Sequence, residues 1–276
     1  MEFINLSSTA STLLITLYSR ANLSRKNMII KDEKAEEIIQ LAGYSQKKLK
    51  LRKSYQIFLT IRAKLIDDYT QEFINKHNGD CTVIQVACGL DSRYIRLNNP
   101  NVKWYDLDLY GTIELRKKFY KQSANYKMIE SNICNFTWVN KIDPNDMKKP
   151  TLIIAEGLFM YLSKEDNNHI FSSLPNYFKD VDIIFDIFSP LVVKLSKHIH
   201  TLKRTNASFK FGFKNPKAIL DMSNDLEYIK MLSYNKNKYI KELPLFYRIT
   251  SKISSIFIDK SRRLEIFHIK KQEQTS

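Results

Sequence analysis

The sequence predicts an α/β protein built on a doubly wound, mainly parallel sheet. Short β-rich runs alternate with helical stretches from about residue 80 onward, the signature of βαβ units. One run, Thr151 to Ala155 (TLIIA), is nearly all apolar, as a strand buried on both faces must be. A turn glycine and a series of carboxylates and amides stand just after successive strands, where an open parallel sheet places its ligands.

The elements follow in order. Residues 11–77 read as helical, with amphipathic stretches over 11–22, 33–42 and 50–77, and no proline precedes Pro100. In the third stretch Tyr55, Phe58, Leu59, Leu65, Ile66, Tyr69 and Phe73 recur at three- and four-residue intervals and form one apolar stripe. His77-Asn78-Gly79 supplies the helix stop. Strands are then expected at Cys81 to Ala87, Val102 to Leu107, Tyr126 to Ile129, Thr151 to Ala155 and Val181 to Ile187. Helices are expected at Leu109 to Lys121 and, capped by Ser163 with acidic residues in its first turn, at Ser163 to Phe178. Residues 190–224 read as a helical lid, and Leu226 to Leu232 with Leu264 to Ile269 as an antiparallel pair at one edge. The whole forms a single domain: a helical cap over 1–79, a core over 80–190, and lid and closing strands over 190–276.

Composition narrows the class. The 276 residues are 43% hydrophobic, with 16 Phe and 15 Tyr, which is enough for a sizeable core. The net charge of +15 invites a nucleic-acid reading. It is discounted, because the lysines accompany an abundance of Asn and Ile. The longest basic stretch, Gln46 to Lys53 (QKKLKLRK), also alternates with apolar residues as a solvated helix face does. Cys81, Cys88 and Cys134 are scattered, with no CxxC or Cys/His cluster, so neither a disulfide framework nor a metal site is indicated and a cytoplasmic setting is expected. The apolar patch Leu13 to Leu17 follows Glu2 and precedes the first basic residue, Arg20, the wrong arrangement for a signal peptide. No run reaches membrane-spanning length.

The chemistry is expected at the carboxyl ends of the strands. Gly89 and Asp91 follow strand one, Asp106 and Asp108 end strand two, Asn132 follows strand three, and Glu156 follows strand four. The turn reads ACGLDS, with one glycine where a dinucleotide fingerprint needs three, and no phosphate-binding loop occurs elsewhere. An adenosine ligand without a pyrophosphate fits better. Asp108 lies 19 residues after Gly89, near the spacing at which a carboxylate accepts from ribose hydroxyls. Arg62 interrupts the apolar stripe between Phe58 and Ile66. It either snorkels to the surface or pairs with a structural carboxylate, or else projects into a pocket to bind a ligand carboxylate. Glu156 is expected to be paired, with Arg62 or Arg93 as the structural partners, because an unpaired buried carboxylate is costly.

Three segments, VACGLDSRYIRL (86–97), WYDLDLYGTIELR (104–116) and LIIAEGLFMYL (152–162), resemble the leucine carboxyl methyltransferase family. TLLITLYSRANLSR (12–25) and IRAKLIDDY (61–69) resemble its bacterial, small-molecule side, the tetracenomycin-type polyketide O-methyltransferases. The resemblance runs from about residue 10 to 190. It implies a Rossmann-like class I methyltransferase fold and S-adenosyl-L-methionine as cofactor. By the same resemblance Arg62, Gly89, Asp108, Asn132, Ile133 and Glu156 would bind that cofactor. Arg62 would take the methionyl carboxylate, Gly89 the close backbone approach, and Asp108 the ribose. Glu156 would face the methionine amino end or the sulfonium, and Asp91 with Arg93 would shape the turn as a structural pair. Three positions depart from the family: Ala87 stands where glycine is usual and, in a run that reads NICN (132–135), Asn132 stands where aspartate is usual and Cys134 where arginine is usual.

The activity so implied is methyl transfer to a carboxylate or hydroxyl of a small-molecule acceptor. A hydroxyl acceptor would need a base, for which His169, His198 and His200 are the candidates, without a choice among them. Lys194, Lys197, Lys203, Arg204 and Lys210 would either form a basic mouth or, more simply, a solvated face. An inactive cofactor-binding or regulatory homologue is the alternative that Ala87 and Asn132 motivate. A nucleic-acid methyltransferase ranks lower, because EGLFMY stands where its Asn/Asp-Pro-Pro-Tyr-like motif would be. The acceptor and the oligomeric state are not specified by the sequence.

Overall fold

The computed structural model describes residues 8–42, 51–178, 180–196, 208–250 and 261–270. The N-terminal helices are α1 (Ser8–Ser24), α2 (Glu33–Leu41) and α3 (Lys53–Lys76). Asp32 caps α2 by accepting from the Ala35 amide. α3 ends as its sequence requires: Asn78 and Gly79 both have positive φ, and the Gly79 amide donates to Ile74 O at 2.9 Å.

The strands are β1 (Thr82–Val86), β2 (Lys103–Asp108), β3 (Tyr126–Glu130), β4 (Thr151–Ala155), β5 (Val181–Phe188), β6 (Leu226–Leu232) and β7 (Arg262–Ile269). Between them lie α4 (Arg93–Leu97), α5 (Tyr110–Lys117), α6 (Lys164–Tyr177), α7 (Pro190–Ser196) and α8 (Lys217–Leu220). One seven-stranded sheet has the order β3-β2-β1-β4-β5-β7-β6. The first five strands are parallel, with Val83 opposite both Trp104 and Leu152, and β7 runs antiparallel to β5 and β6. The order reverses between β1 and β4, which opens a crevice at their carboxyl ends.

Alternation along the strands builds a core on each face. Val83, Trp104, Leu152, Ile154, Ile184 and Ile266 face the N-terminal helices, against Leu14, Leu17, Leu59 and Ile66. Ile84, Leu107, Ile153, Ile183, Phe185 and Phe267 face α6 and α8, against Ile170, Phe171, Leu174 and Ile219. Every residue of β1 and of β4 is buried. Full burial of each such aliphatic side chain stabilises by about 1.5–3 kcal/mol. α6 begins with a reciprocal Ser163–Asp166 capping box, as its sequence predicts.

Two expectations are corrected. The lid read over 190–224 is not one helical region: among the described residues only α7 and the four-residue α8 are helical, and 208–213 has no regular secondary structure. There the chain hydrogen-bonds through Lys210 N to Met160 O (2.8 Å) and Phe213 N to Phe188 O (2.9 Å), while Phe209 and Phe213 are buried. Lys197, His198, His200, Lys203 and Arg204 lie outside the described residues, as does most of the basic stretch 46–53. α5 stops at Lys117 rather than Lys121, after which Tyr120 turns inward onto Arg116. The two closing strands pair antiparallel at one edge of the sheet as expected, with β6 outermost and β7 joining it to β5.

Candidate active site

The turn after β1 is held by side chains of β2 and α5. Gly89 has φ +54°, and its amide donates to Asp108 Oδ2 at 2.8 Å, while the Leu109 amide donates to Asp108 Oδ1 at 2.7 Å. Burial raises the Asp108 carboxyl above its ordinary value, against the pull of those two amides and the Thr112 hydroxyl. With three of its four lone-pair sites taken by these donors, the carboxylate keeps one for a further donor. From the other side Arg116 Nη1 donates to Gly89 O at 2.9 Å. Arg116 is itself fixed by an ion pair with Asp106 and a 3.0 Å bond to the Tyr126 hydroxyl. Asp106 is fully buried and also accepts from Trp104 Nε1 at 2.9 Å. The two aspartates of β2 thus divide: Asp106 is an internal strut, and Asp108 faces the crevice.

Ala87 also has positive φ, +51°, a backbone region that favours glycine. A Cβ at Gly89 would lie 2.9 Å from Leu13 Cδ2, so α1 closes directly over the turn.

Arg62 stands in the middle of a buried ionic cluster. Its Nε donates to Glu156 Oε1 at 2.9 Å and its Nη1 to Asp186 Oδ2 at 2.9 Å. Nη2 donates to no residue among those described and lies where a Cβ at Gly157 (φ +69°) would meet it at 3.5 Å. Asp186 also accepts from the Gly157 amide. The cluster continues inward. Arg93 reaches Glu156 and Asp67 at 2.7 Å and Asp91 at 3.0 Å. Arg96 reaches Asp91 at 2.7 Å, Asp67 at 2.8 Å and Asp32 at 3.0 Å. Arg20 closes it on Asp32 at 2.9 Å. Burial alone would raise the Glu156 carboxyl; the Arg62 and Arg93 guanidiniums overcome it and hold it below the ordinary range. Asp91 sits well below that range, because Arg20, Arg93 and Arg96 likewise outweigh its burial. Four guanidiniums face five carboxylates in this cluster (Asp32, Asp67, Asp91, Glu156 and Asp186), and burial raises the Asp186 carboxyl above its ordinary value.

The structure therefore unites Arg62 and Glu156, and places Gly89 and Asp108 together across the adjacent turn. It shows the expected Asp91–Arg93 pair, and both structural partners weighed for Glu156. Asn132 caps a 3-10 turn over Ile133–Asn135, its side-chain oxygen accepting from the Cys134 amide at 3.0 Å. Ile133 packs into the core beside Ile84 and Leu107. His169 is exposed on α6, with Nε2 3.0 Å from Cys134 O and its ring against Phe136. Among the described residues no group of three or more His, Cys, Asp or Glu could hold a metal ion.

Sequence reasoning missed Asp186 and the carboxylates behind Arg93. Asp186 is near the carboxyl end of β5, and extending the inspection of strand ends by one strand finds it. Asp32, Asp67 and Arg96 give no such signal, since nothing in their own elements marks them as paired.

The strand order, with Gly89, Asp108 and Glu156 at the carboxyl ends of β1, β2 and β4 and Arg62 paired to Glu156, defines a class I methyltransferase-type α/β protein. The chain belongs to the leucine carboxyl methyltransferase family, whose profile matches residues 13–174, and is an S-adenosylmethionine-dependent methyltransferase. It is 30% identical over 220 residues to the tetracenomycin polyketide synthesis O-methyltransferase TcmP of Streptomyces glaucescens, covering 79% of this chain and 80% of the relative. It is 28% identical over 192 residues to the S-adenosyl-L-methionine-dependent methyltransferase dpfgK of Gibberella zeae, covering 64% of each. Two solved structures share the fold at low identity. One, from Thermobifida fusca and assigned as a methyltransferase, has a TM-score of 0.56 at 12% identity and covers 92% of this chain and 94% of the other. A DUF574 family protein from Streptomyces avermitilis has a TM-score of 0.55 at 8% identity, covering 79% and 85%. No helix among the described residues is long and apolar enough to cross a membrane.

Proposed function

We propose that this chain methylates an oxygen, carboxylate or hydroxyl, of a small-molecule acceptor, and that Arg62, Gly89, Asp108, Asn132, Ile133 and Glu156 hold the cofactor. The observation that carries the reading is the Arg62 guanidinium. Two of its nitrogens are fixed by Glu156 and Asp186, and the third is left over at the carboxyl edge of the sheet. A donor so fixed is suited to the carboxylate of a methionyl group. Three further features fit the same ligand. Gly89 has no side chain to block the approach, Asp108 retains acceptor capacity for a ribose hydroxyl, and the Glu156 carboxylate, held ionised, suits a cation. When bound, S-adenosylmethionine supplies an electrophilic methyl group on its sulfonium.

The protein's own part is to orient and to exclude water. Glu156 is held ionised and can accept from an ammonium group without leaving Arg62 or Arg93. A carboxylate acceptor is ionised at neutral pH and needs no base. That version is favoured over a hydroxyl, because His169, the one described histidine among the three candidates, is engaged with Cys134 and Phe136. The name of the relative TcmP, an O-methyltransferase, supports transfer to oxygen. Three cysteines without disulfide partners agree with a cytoplasmic location.

The test is calorimetric titration with S-adenosylmethionine and S-adenosylhomocysteine. Binding at about micromolar Kd that is lost in both Arg62→Ala and Asp108→Ala supports the reading. A wild type that binds neither ligand overturns it and favours a retired site marked by Ala87 and Asn132.

A further inference from the structure

Beside the Arg62 cluster stands a second cation with the opposite surroundings. Arg262, the first residue of β7, pairs in register with Phe188 at the carboxyl end of β5, the same edge that carries Asp186. Its guanidinium lies over two rings, 4.8 Å from the centroid of Phe58 and 5.6 Å from that of Phe188. Among the described residues no carboxylate contacts it. The charged and titratable groups that act on it are the phenols of Tyr55 and Tyr234 and the guanidinium of Arg62. Burial lowers its pKa and the two phenols only partly compensate, whereas Arg62, Arg93 and Arg96 are all raised by their carboxylates. A half-buried cation that no described carboxylate contacts is favoured by a ligand that supplies a counter-charge.

A second observation is independent of the first. The Tyr234 ring is packed at 4.8 Å against Phe58, and its hydroxyl is buried with no hydrogen-bond partner among the described residues. Arg62, Asp186, Glu156 and Arg262 are the charged groups around it. A buried hydroxyl left without a partner is rare in folded proteins. Here it lies between the cofactor-side cluster and Arg262. The remaining walls are aromatic: Tyr55 stacks on Phe58, and Phe188 and Tyr161 both pack on Phe209.

We infer that Arg262 and the Tyr234 hydroxyl form the acceptor subsite, taking the anionic oxygen group of a flat, apolar acceptor that lies against the aromatic walls. The inference deepens the methyltransferase reading and rests on it. Arg262 adjoins the cofactor-side cluster, and no carboxylate among the described residues contacts it, so its guanidinium can meet an anionic acceptor group. Arg262 binds and positions the acceptor and takes no part in breaking or forming bonds.

The test compares an acid with its neutral isostere. With S-adenosylhomocysteine present, 2-naphthoate and 2-naphthamide are titrated calorimetrically, each up to about 1 mM, into wild type, Arg262→Gln, Arg262→Lys and Tyr234→Phe. Wild type is expected to prefer the acid by about tenfold or more, the scale of one charge-assisted hydrogen bond. Arg262→Gln should abolish the preference, Arg262→Lys should restore part of it, and Tyr234→Phe should weaken the acid more than the amide. Unchanged S-adenosylhomocysteine affinity in Arg262→Gln shows that the fold and cofactor site are intact. Equal binding of acid and amide by wild type, no binding of either, or a preference that survives Arg262→Gln overturns the inference while leaving the methyltransferase reading in place. Failure of S-adenosylhomocysteine to bind wild type overturns both.

Discussion

The Asp108 carboxylate accepts the amide hydrogen of Gly89 at 2.8 Å, which fastens the end of β2 to the turn after β1. Asp106, two residues earlier on the same strand, instead neutralises Arg116 inside the protein. The two aspartates should therefore fail in different ways. Asp108→Asn should weaken S-adenosylhomocysteine binding by about tenfold while costing about 1–2 kcal/mol of stability. Asp106→Asn strands a buried guanidinium and should cost about 3 kcal/mol or more, with affinity less affected wherever the variant stays folded. Denaturant unfolding and calorimetry on the pair decide this; matching losses of affinity would show that the division is wrong.

Arg62 is pinned by Glu156 and Asp186, so its removal exposes the cost of two buried carboxylates. Arg62→Ala is expected to lose about 3–5 kcal/mol. Adding Asp186→Asn to it should recover part of that stability without recovering cofactor affinity. Urea unfolding midpoints measure the first effect and ligand titration the second. A double variant no more stable than Arg62→Ala would place the strain elsewhere.

Ala87 occupies a left-handed backbone position. Glycine removes the Cβ conflict, worth about 1–2 kcal/mol, and loses roughly 0.4–1 kcal/mol to unfolded-state entropy. Ala87→Gly should thus be the more stable protein, with Tm higher by about 2 °C. A lower Tm would mean that the surrounding packing, not the backbone, fixes this residue.

Gly89 and Leu13 should be coupled. Gly89→Ala adds a Cβ at 2.9 Å from Leu13 Cδ2 and retains a positive φ. Shortening the neighbour in Gly89→Ala/Leu13→Ala relieves the clash but not the backbone strain. A double-mutant cycle on thermal stability should give a coupling of about 1 kcal/mol. Strict additivity would show that the leucine simply swings aside.

Glu265 is fully buried on β7, 3.2 Å from Arg263. Burial raises its carboxyl above the ordinary value despite Arg263 and Tyr228. With the folded-state pKa raised, the native protein holds the proton more tightly than the unfolded chain. The stability due to this group is present below the ordinary glutamate value and is lost as pH rises through the raised one. Glu265→Gln should therefore gain on wild type as pH increases across that window and hold a constant margin above it. Unfolding free energies measured from about pH 4 to 8 check the sign; a margin that shrinks with rising pH would contradict it.

The parallel strands were readable because burial on both faces leaves uninterrupted apolar runs such as Ile153-Ile154-Ala155. The strand-end rule placed Gly89, Asp108 and Glu156 at the carboxyl ends of β1, β2 and β4, where the structure has them, without any knowledge of contacts. What escaped was pairing at a distance. Arg62 meets Asp186 across 124 residues, and helix periodicity could say only that Arg62 lies on a buried face. Arg262 and Tyr234 were invisible for the same reason. The lid misreading had a local cause: in Phe209, Phe211 and Phe213 the aromatic residues recur every second position, an extended-chain period that was passed over within a stretch read as helix.

β7 pairs with β5 from Val181↔Ile269 to Phe188↔Arg262, so residues 262–269 occupy the inside of a sheet whose other core strands are made much earlier. During synthesis β5 therefore waits with one ladder of amides and carbonyls bare, flanked by Ile183, Ile184 and Phe185. A ribosome stalled between these segments releases a chain whose exposed ladder is a template for another copy. The passage from β5 to β7 is the interval in which chaperones would most need to shield this nascent chain.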